Sequence, residues 1–205
     1  GALYYLWHKE RYPHIPITFD CNEGKRHGLN FDIVERIPDG TTLLVIPDSS
    51  SSDVVFHDEL YSYGYDILIL DHHEFDIMQP TSAVIVNCMD GKYPNTNLTG
   101  VGVVYKFLEQ YELDLAHDLT HLDSLLPLVT LGQLADLADV RNLETRGLCL
   151  QGLEDFAENN LLLKAIVEEQ EYSMKGECNF TTISWYVAPL MNAIFRQGTL
   201  DDRID

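Results

Sequence analysis

Basic residues are scarce in this chain of 205 residues: 13 Lys and Arg stand against 33 Asp and Glu, for a formal net charge of -20. Such a surface repels nucleic acid and anionic membranes, so a polyanionic substrate needs a metal ion, a local basic patch or another part of the protein to hold it. Cysteine is nearly absent too. Cys21, Cys88, Cys149 and Cys178 lie far apart without CxxC spacing, which excludes a zinc ribbon and a disulfide framework and favours a reducing cytoplasm. The chain has no run of 18 apolar residues and no basic-plus-apolar leader, so neither membrane insertion nor secretion is indicated. Internal repeats are lacking, and the only low-complexity tract is Ser49 to Ser52. With 45% hydrophobic residues, the chain has material for one sizeable core.

The first residues, Gly1 to Trp7, read as the inside of a helix running to about Tyr12, with neither initiator Met nor N-cap. The expectation is therefore a chain that starts downstream of the natural beginning. Ile15 to Phe19 reads as a strand and Cys21 to Asn30 as a loop. Thr42 to Ile46 is a continuous apolar run, expected to be a strand buried on both faces. It ends in Pro47-Asp48 and the four serines, which form either a flexible turn or a phosphate-holding one. Val54 to Tyr63 is amphipathic and closed by Gly64, and Asp66 to Leu70 is again apolar. Strand, helix and strand in that order predict a parallel pair with a right-handed crossover. Ala83 to Val86 adds a strand. Helices are expected over Leu98 to Tyr111, Leu119 to Asp139, Glu144 to Asn159 and Leu161 to Tyr172. Ile183 to Val187 looks strand-like, with a break at Pro189. The fold class is α/β, a parallel sheet followed by a mostly helical half.

Chemistry concentrates at strand ends. Asp71-His72-His73 follows one strand and Asp48 another, and ligands of open α/β sheets bind beyond those carboxyl ends. Carboxylate and imidazole together suit Mn²⁺, Mg²⁺ or Zn²⁺. Asp136 closes the apolar stretch Leu122 to Leu134 and is either a solvated helix-end carboxylate or a third contributor to the cluster.

Order and spacing of these elements resemble the DHH phosphoesterase family, and within it the RecJ-type single-strand-specific exonucleases. Asp48 matches the family's second motif, Asp71-His72-His73 its third, and Leu131-Gly132-Gln133-Leu134-Ala135-Asp136 its fourth. Gly28-Leu29-Asn30, Leu98 to Val103, Glu144-Thr145-Arg146 and Pro189 to Arg196 resemble further family elements in the same order. The resemblance implies a two-metal phosphodiesterase domain over residues 1–180, using Mn²⁺ or Mg²⁺, with 181–205 leading towards an accessory domain. Asp48 would bridge the ions, His72 and Asp136 would ligate one of them, Asp71 would orient the His pair, and His73 would bond the scissile phosphate. Lys25 and Arg26 offer a phosphate contact or a solvated basic loop, and Asn192 with Arg196 a second nucleic-acid contact or, for Arg196, a salt bridge.

The family's first, Asp-rich motif is missing, which implies that this chain by itself assembles part of the metal centre. Phe195 stands where the family has Gly. The implied substrate is single-stranded DNA, digested from the 5′ end in repair or recombination, with other repair or replication proteins as partners. Oligoribonucleotides or cyclic dinucleotides are the alternative substrates, and an inactive scaffold the alternative of another class. Trp7 and Trp185 could stack bases, but core or helix packing is the expectation for both, and His8, His14, His57, His117 and His121 read as ordinary surface or packing residues.

Overall fold

A computed structural model describes residues 1–22, 27–158 and 160–197, with 194–197 described in their backbone alone. Three strands, β1 (Leu43–Pro47), β2 (Asp66–Asp71) and β3 (Val84–Asn87), form a parallel sheet in the order β1-β2-β3. The register pairs Pro47 with Leu70 and Asp71 with Asn87, so the three carboxyl ends finish level. The Asp48 N–H extends the ladder by one bond, donating to the Leu70 carbonyl at 2.8 Å.

Side chains alternate across β2. Ile67 and Ile69 enter a cluster with Leu60 of helix α3 (Val54–Ser62), while Leu70 enters the main core with Leu3 and Trp7 of α1 (Ala2–Arg11) and Val103, Val104 and Leu108 of α4 (Gly100–Asp114). Helices thus cover both faces, which is why β2 is apolar at every interior position. β1 departs from the expectation of full burial. Among the described strands it is an edge, with Leu43 exposed and its other residues half-buried.

A short helix α2 (Phe31–Glu35), capped by the Asn30 side chain, went unread in the sequence. Beyond the sheet lie α5 (Thr120–Asp123), α6 (Leu126–Ala135), α7 (Leu143–Glu154), α8 (Leu161–Glu169), α9 (Glu171–Met174), α10 (Phe180–Thr182), a π turn (Ile183–Val187) and α11 (Ala188–Gln197). Helices α6 and α7 pack closely: a methyl group on Gly152 would collide with the Leu126 carbonyl and Thr130. A second core joins Leu131 and Leu134 of α6 to Leu163, Met174, Ile183 and Val187.

Several expectations fail for identifiable reasons. Ile15 to Phe19 forms no strand; Pro13 and Pro16 flank or enter the segment, each removing a ladder donor, and Ile15 is exposed. The helix expected over 119–139 is two helices, because Pro127 has no N–H for the Asp123 carbonyl and instead occupies the first turn of α6. The helix expected over 161–172 is likewise divided, between α8 and α9. The helix from Glu144 ends at Glu154, and the expected terminus Asn159 lies outside the described residues.

The strand-like Ile183 to Val187 is helical. Asn179 and Thr182 make a reciprocal capping box that starts the helix, and Ile183 and Val187, four apart, are both fully buried. Pro189 does not break it: the ladder widens into the π turn where the proline ring meets the turn containing Trp185. Trp185, expected to pack, is 72% exposed, whereas Trp7 is buried and donates to Glu112 Oε1 at 2.6 Å.

Candidate metal centre

Asp48 leaves β1 with φ +66, and Ser50 follows at φ +76. Left-handed conformations cost a non-glycine residue about 1–2 kcal/mol each, so the turn persists because its surroundings determine it. Leu29 N–H donates to Ser50 Oγ and to Asp53 Oδ2, both at 3.0 Å. Ser51 N–H donates to Asp71 Oδ2 at 3.1 Å, and Asn87 Nδ2 donates to Ser51 Oγ at 3.0 Å. His57 Nε2 meets the Ser50 carbonyl at 2.9 Å. The serine tract is therefore a bonded turn with Ser50 and Ser51 buried, not a flexible one.

Asp71 is 1% exposed and collects hydrogen bonds. Oδ1 accepts from the backbone N–H of His72 at 2.8 Å and of His73 at 3.3 Å, and it lies 2.7 Å from His73 Nδ1. Burial alone would raise its pKa; the donors from His73, Ser51 and His72 outweigh that and hold the carboxyl below its usual range. Because Asp71 takes Nδ1 of His73, Nε2 is the atom that ring can offer to a ligand.

His72 points the other way. Its Nε2 lies 3.2 Å from Asp48 Oδ1 and 3.5 Å from Asp136 Oδ2, and donor atoms of Asp48, His72 and His73 fall within 4.8 Å of one another. The hydrogen bond with Asp48 raises the His72 pKa against the opposing effect of burial, and the Asp136 charge adds to the rise. Asp136 itself is raised: partial burial outweighs the lowering by the nearby His72, and the Asp48 charge adds to the rise. It caps the C-terminus of α6, the end of a helix least favourable to a carboxylate.

These residues fit a divalent cation. Adjacent ligands on an octahedral ion at about 2.1 Å are about 3 Å apart, close to the Asp48–His72 separation. Two carboxylates, one at a helix C-terminus, also leave an excess of negative charge for a cation to neutralise.

What holds the cluster together is not legible in the sequence. Gly100 opens α4 directly against Asp48, and buried Gln133, within the Leu-Gly-Gln-Leu-Ala-Asp stretch, accepts from Thr99 N–H at 3.1 Å, joining α6 to the start of α4. His57, read as an ordinary residue, is fully buried beneath the Asp48 turn, and burial lowers its pKa. The seven-residue interval from Ser50 to His57 gives no hint of their contact. His73, assigned from the resemblance to phosphate, also comes within ligand reach of Asp48 and His72. Glu144 accepts from Tyr93 Oη at 2.7 Å and Asn95 Nδ2 at 2.9 Å, which makes it a brace. Asn192 lies half-buried on α11, the helix packed against α6. Lys25 and Arg26 lie outside the described residues, as does the side chain of Arg196.

No family model matches the chain. It is 34% identical over 191 residues to a prophage-derived protein of Bacillus subtilis named as a single-strand DNA-specific exonuclease, YorK, covering 93% of this chain and 32% of that protein. Against the single-stranded-DNA-specific exonuclease RecJ of the same organism it is 31% identical over 196 residues, covering 93% of this chain and 23% of RecJ. The chain thus spans about a third or less of these relatives. Among solved structures, exonuclease RecJ bound to manganese matches with a TM-score of 0.71 at 20% identity, over 86% of this chain and 44% of that one. RecJ from Thermus thermophilus in complex with Mn²⁺ matches with a TM-score of 0.64 at 18% identity, over 78% and 26%. Over 93% of its length the chain is thus similar in sequence to YorK and RecJ, and it shares its fold with RecJ.

Proposed function

We propose that this chain is part of a metal-dependent phosphodiesterase, a single-stranded-DNA exonuclease of RecJ type. The observation that carries the reading is the convergence of Asp48, His72 and Asp136, from three elements far apart in sequence, on one point at the carboxyl end of the sheet. Manganese in the RecJ structures and the substrate named for YorK and RecJ support it. Digestion from the 5′ end, a role in repair or recombination, a second metal ion, Mg²⁺ in place of Mn²⁺ and a cytoplasmic location follow from the family resemblance. No helix among the described residues is long and apolar enough to cross a membrane.

In hydrolysis, a water oxygen adds to phosphorus, the bond to the leaving nucleoside oxygen breaks, and that oxygen takes a proton. Bound Mn²⁺ or Mg²⁺ supplies Lewis-acid chemistry, lowering the pKa of a bound water and neutralising phosphate charge. Asp48, His72 and Asp136 would hold the ion. Asp71, buried beneath the histidines, holds the backbone N–H of His72 and the ring of His73, and so directs His73 Nε2 towards phosphate or cation. The cation also answers the electrostatic problem of a chain with net charge -20, whose exposed Asp48 and Asp136 would otherwise repel a phosphodiester.

The test is degradation of end-labelled single-stranded DNA by the full-length protein with Mn²⁺, alongside Asp48→Ala and His72→Ala. Loss of activity in both variants is expected, and unchanged degradation in either removes the proposed centre. Faster turnover of oligoribonucleotides or a cyclic dinucleotide than of DNA would favour the alternative substrates.

A further inference from the structure

His57 lies outside the cluster at the strand ends, on α3, fully buried and bonded through both ring nitrogens. The polarity of those bonds is determined. The Ser50 carbonyl can only accept, so Nε2 carries the proton and donates to it at 2.9 Å. In the neutral ring Nδ1 is then the acceptor, and it receives the Thr81 hydroxyl at 2.7 Å. Thr81 Oγ1 in turn accepts from Ala83 N–H at 3.1 Å. One relay therefore runs from the approach to β3, through His57, to the turn that carries Asp48.

The far end of that relay is a single peptide group. The Ser50 carbonyl and the Ser51 N–H belong to the same planar unit and point in opposite directions. His57 grips the carbonyl, and Asp71 Oδ2 accepts from the N–H at 3.1 Å. The Asp53 N–H also donates to the Ser50 carbonyl, at 3.1 Å. The orientation of this plane follows from the three bonds together, of which His57 supplies the shorter one at the carbonyl and the one that comes from helix α3. It sits two residues beyond Asp48, in a turn with left-handed Asp48 and left-handed Ser50. Without the His57 bond the Ser50 carbonyl keeps only the Asp53 N–H, on the neighbouring turn of the same segment, so the plane can tilt, the Ser51 N–H bond to Asp71 lengthens, and Asp48 and the carboxylate beneath both histidines lose part of their common reference.

We infer that His57 is a positioning residue for the cation site, clamping the Ser50–Ser51 peptide against Asp71 and so setting the direction of the Asp48 carboxylate. The inference rests on Asp48 being a cation ligand, as in the proposed function.

The experiment measures Mn²⁺ affinity of the full chain by calorimetry, well below its melting temperature, together with that temperature. Leu at position 57 fills the space without a donor, and His57→Leu is expected to weaken Mn²⁺ binding about 10–100-fold, the usual cost of removing a group that orients a ligand. His57→Gln places an amide nitrogen near the position of Nε2, and its affinity is expected to return towards that of the parent. Where His57→Leu fails to fold, Thr81→Val replaces it; losing the hydroxyl releases the ring, and a smaller weakening in the same direction is expected. A His57→Leu protein that melts lower yet binds Mn²⁺ like the parent, a Gln variant no better than Leu, or a Thr81→Val protein with parental affinity would each overturn the inference. Asp48→Ala separates the two levels. If it binds Mn²⁺ like the parent, the ligand reading of Asp48 fails and the positioning role with it; if it loses Mn²⁺ while His57→Leu keeps it, the positioning role alone fails.

Discussion

Gly100 lies against the side chain of Asp48 so closely that a methyl group on it would come within 2.6 Å of Asp48 Cβ and Cγ. Glycine is needed there for approach, since α4 could otherwise tolerate alanine. Gly100→Ala is therefore expected to push Asp48 aside and cut Mn²⁺-dependent DNA degradation at least about tenfold, as loss of ligand placement does. Helix propensity favours Ala by about 1 kcal/mol, which offsets part of the clash, so the melting temperature should move little. Undiminished activity would show that Asp48 does not need this position.

Asp136 offers a prediction of opposite signs. In the metal-free chain partial burial, Asp48 and the C-terminal end of α6 together outweigh the attraction of His72 for its charge, so Asp136→Asn should stabilise that form slightly, by about 0.3–1 kcal/mol. The same variant should bind Mn²⁺ at least about tenfold more weakly. Thermal melts with and without Mn²⁺ check both halves; a variant destabilised in the absence of metal would mean that Asp136 serves the fold.

Asp71→Asn tests the platform under the histidines. An asparagine can accept at one atom only, and its NH₂ would meet either the Ser51 N–H or the donors from His72 and His73. The expected cost is about 1–3 kcal/mol in chemical denaturation, accompanied by loss of activity. Parental stability would indicate that these donors find water instead.

Glu112 predicts the acid side of the stability curve. It is buried on α4, accepts from Trp7 and Arg11 at 2.6 and 2.8 Å and lies 2.7 Å from His117 Nδ1. Burial alone would raise its pKa, but the bonds from Trp7, His117 and Arg11 hold it below its ordinary range. A carboxyl depressed in the folded state contributes stability above its unfolded pKa and loses it as pH falls through the folded value. Glu112→Gln should thus be less stable at neutrality, by about 1–3 kcal/mol, and lose less on acidification through the carboxyl range. Parallel curves for parent and variant from pH 7 to 3, roughly the window of carboxyl titration, would contradict the assignment.

β1, β2 and β3 are legible residue by residue, because a continuous apolar run bounded by turn residues has few other uses in a chain of this composition, and α3 because its amphipathic stretch is closed by Gly64. Helix limits are less legible. Pro127 restarts a helix and Pro189 is absorbed by a π turn, and no local rule separates those outcomes; the difference is that Ile183 and Val187 have a core to enter. Trp185 shows the same limit in reverse, being apolar yet outward.

The sequence by itself determined which groups could do chemistry here: carboxylates and imidazoles at strand ends, in an order resembling one family. Strand ends are legible because hydrophobic periodicity is local and stops abruptly. Only the tertiary structure decided that Asp48, His72 and Asp136 meet at 3.2 and 3.5 Å, that Gly100 makes room for them, and that His57 and Asp71 hold one peptide from opposite sides. Those relations join residues up to 88 positions apart, the separation of Asp48 and Asp136. They follow from the parallel register and the packing of α3, α4 and α6 around the sheet, where every position depends on all the others.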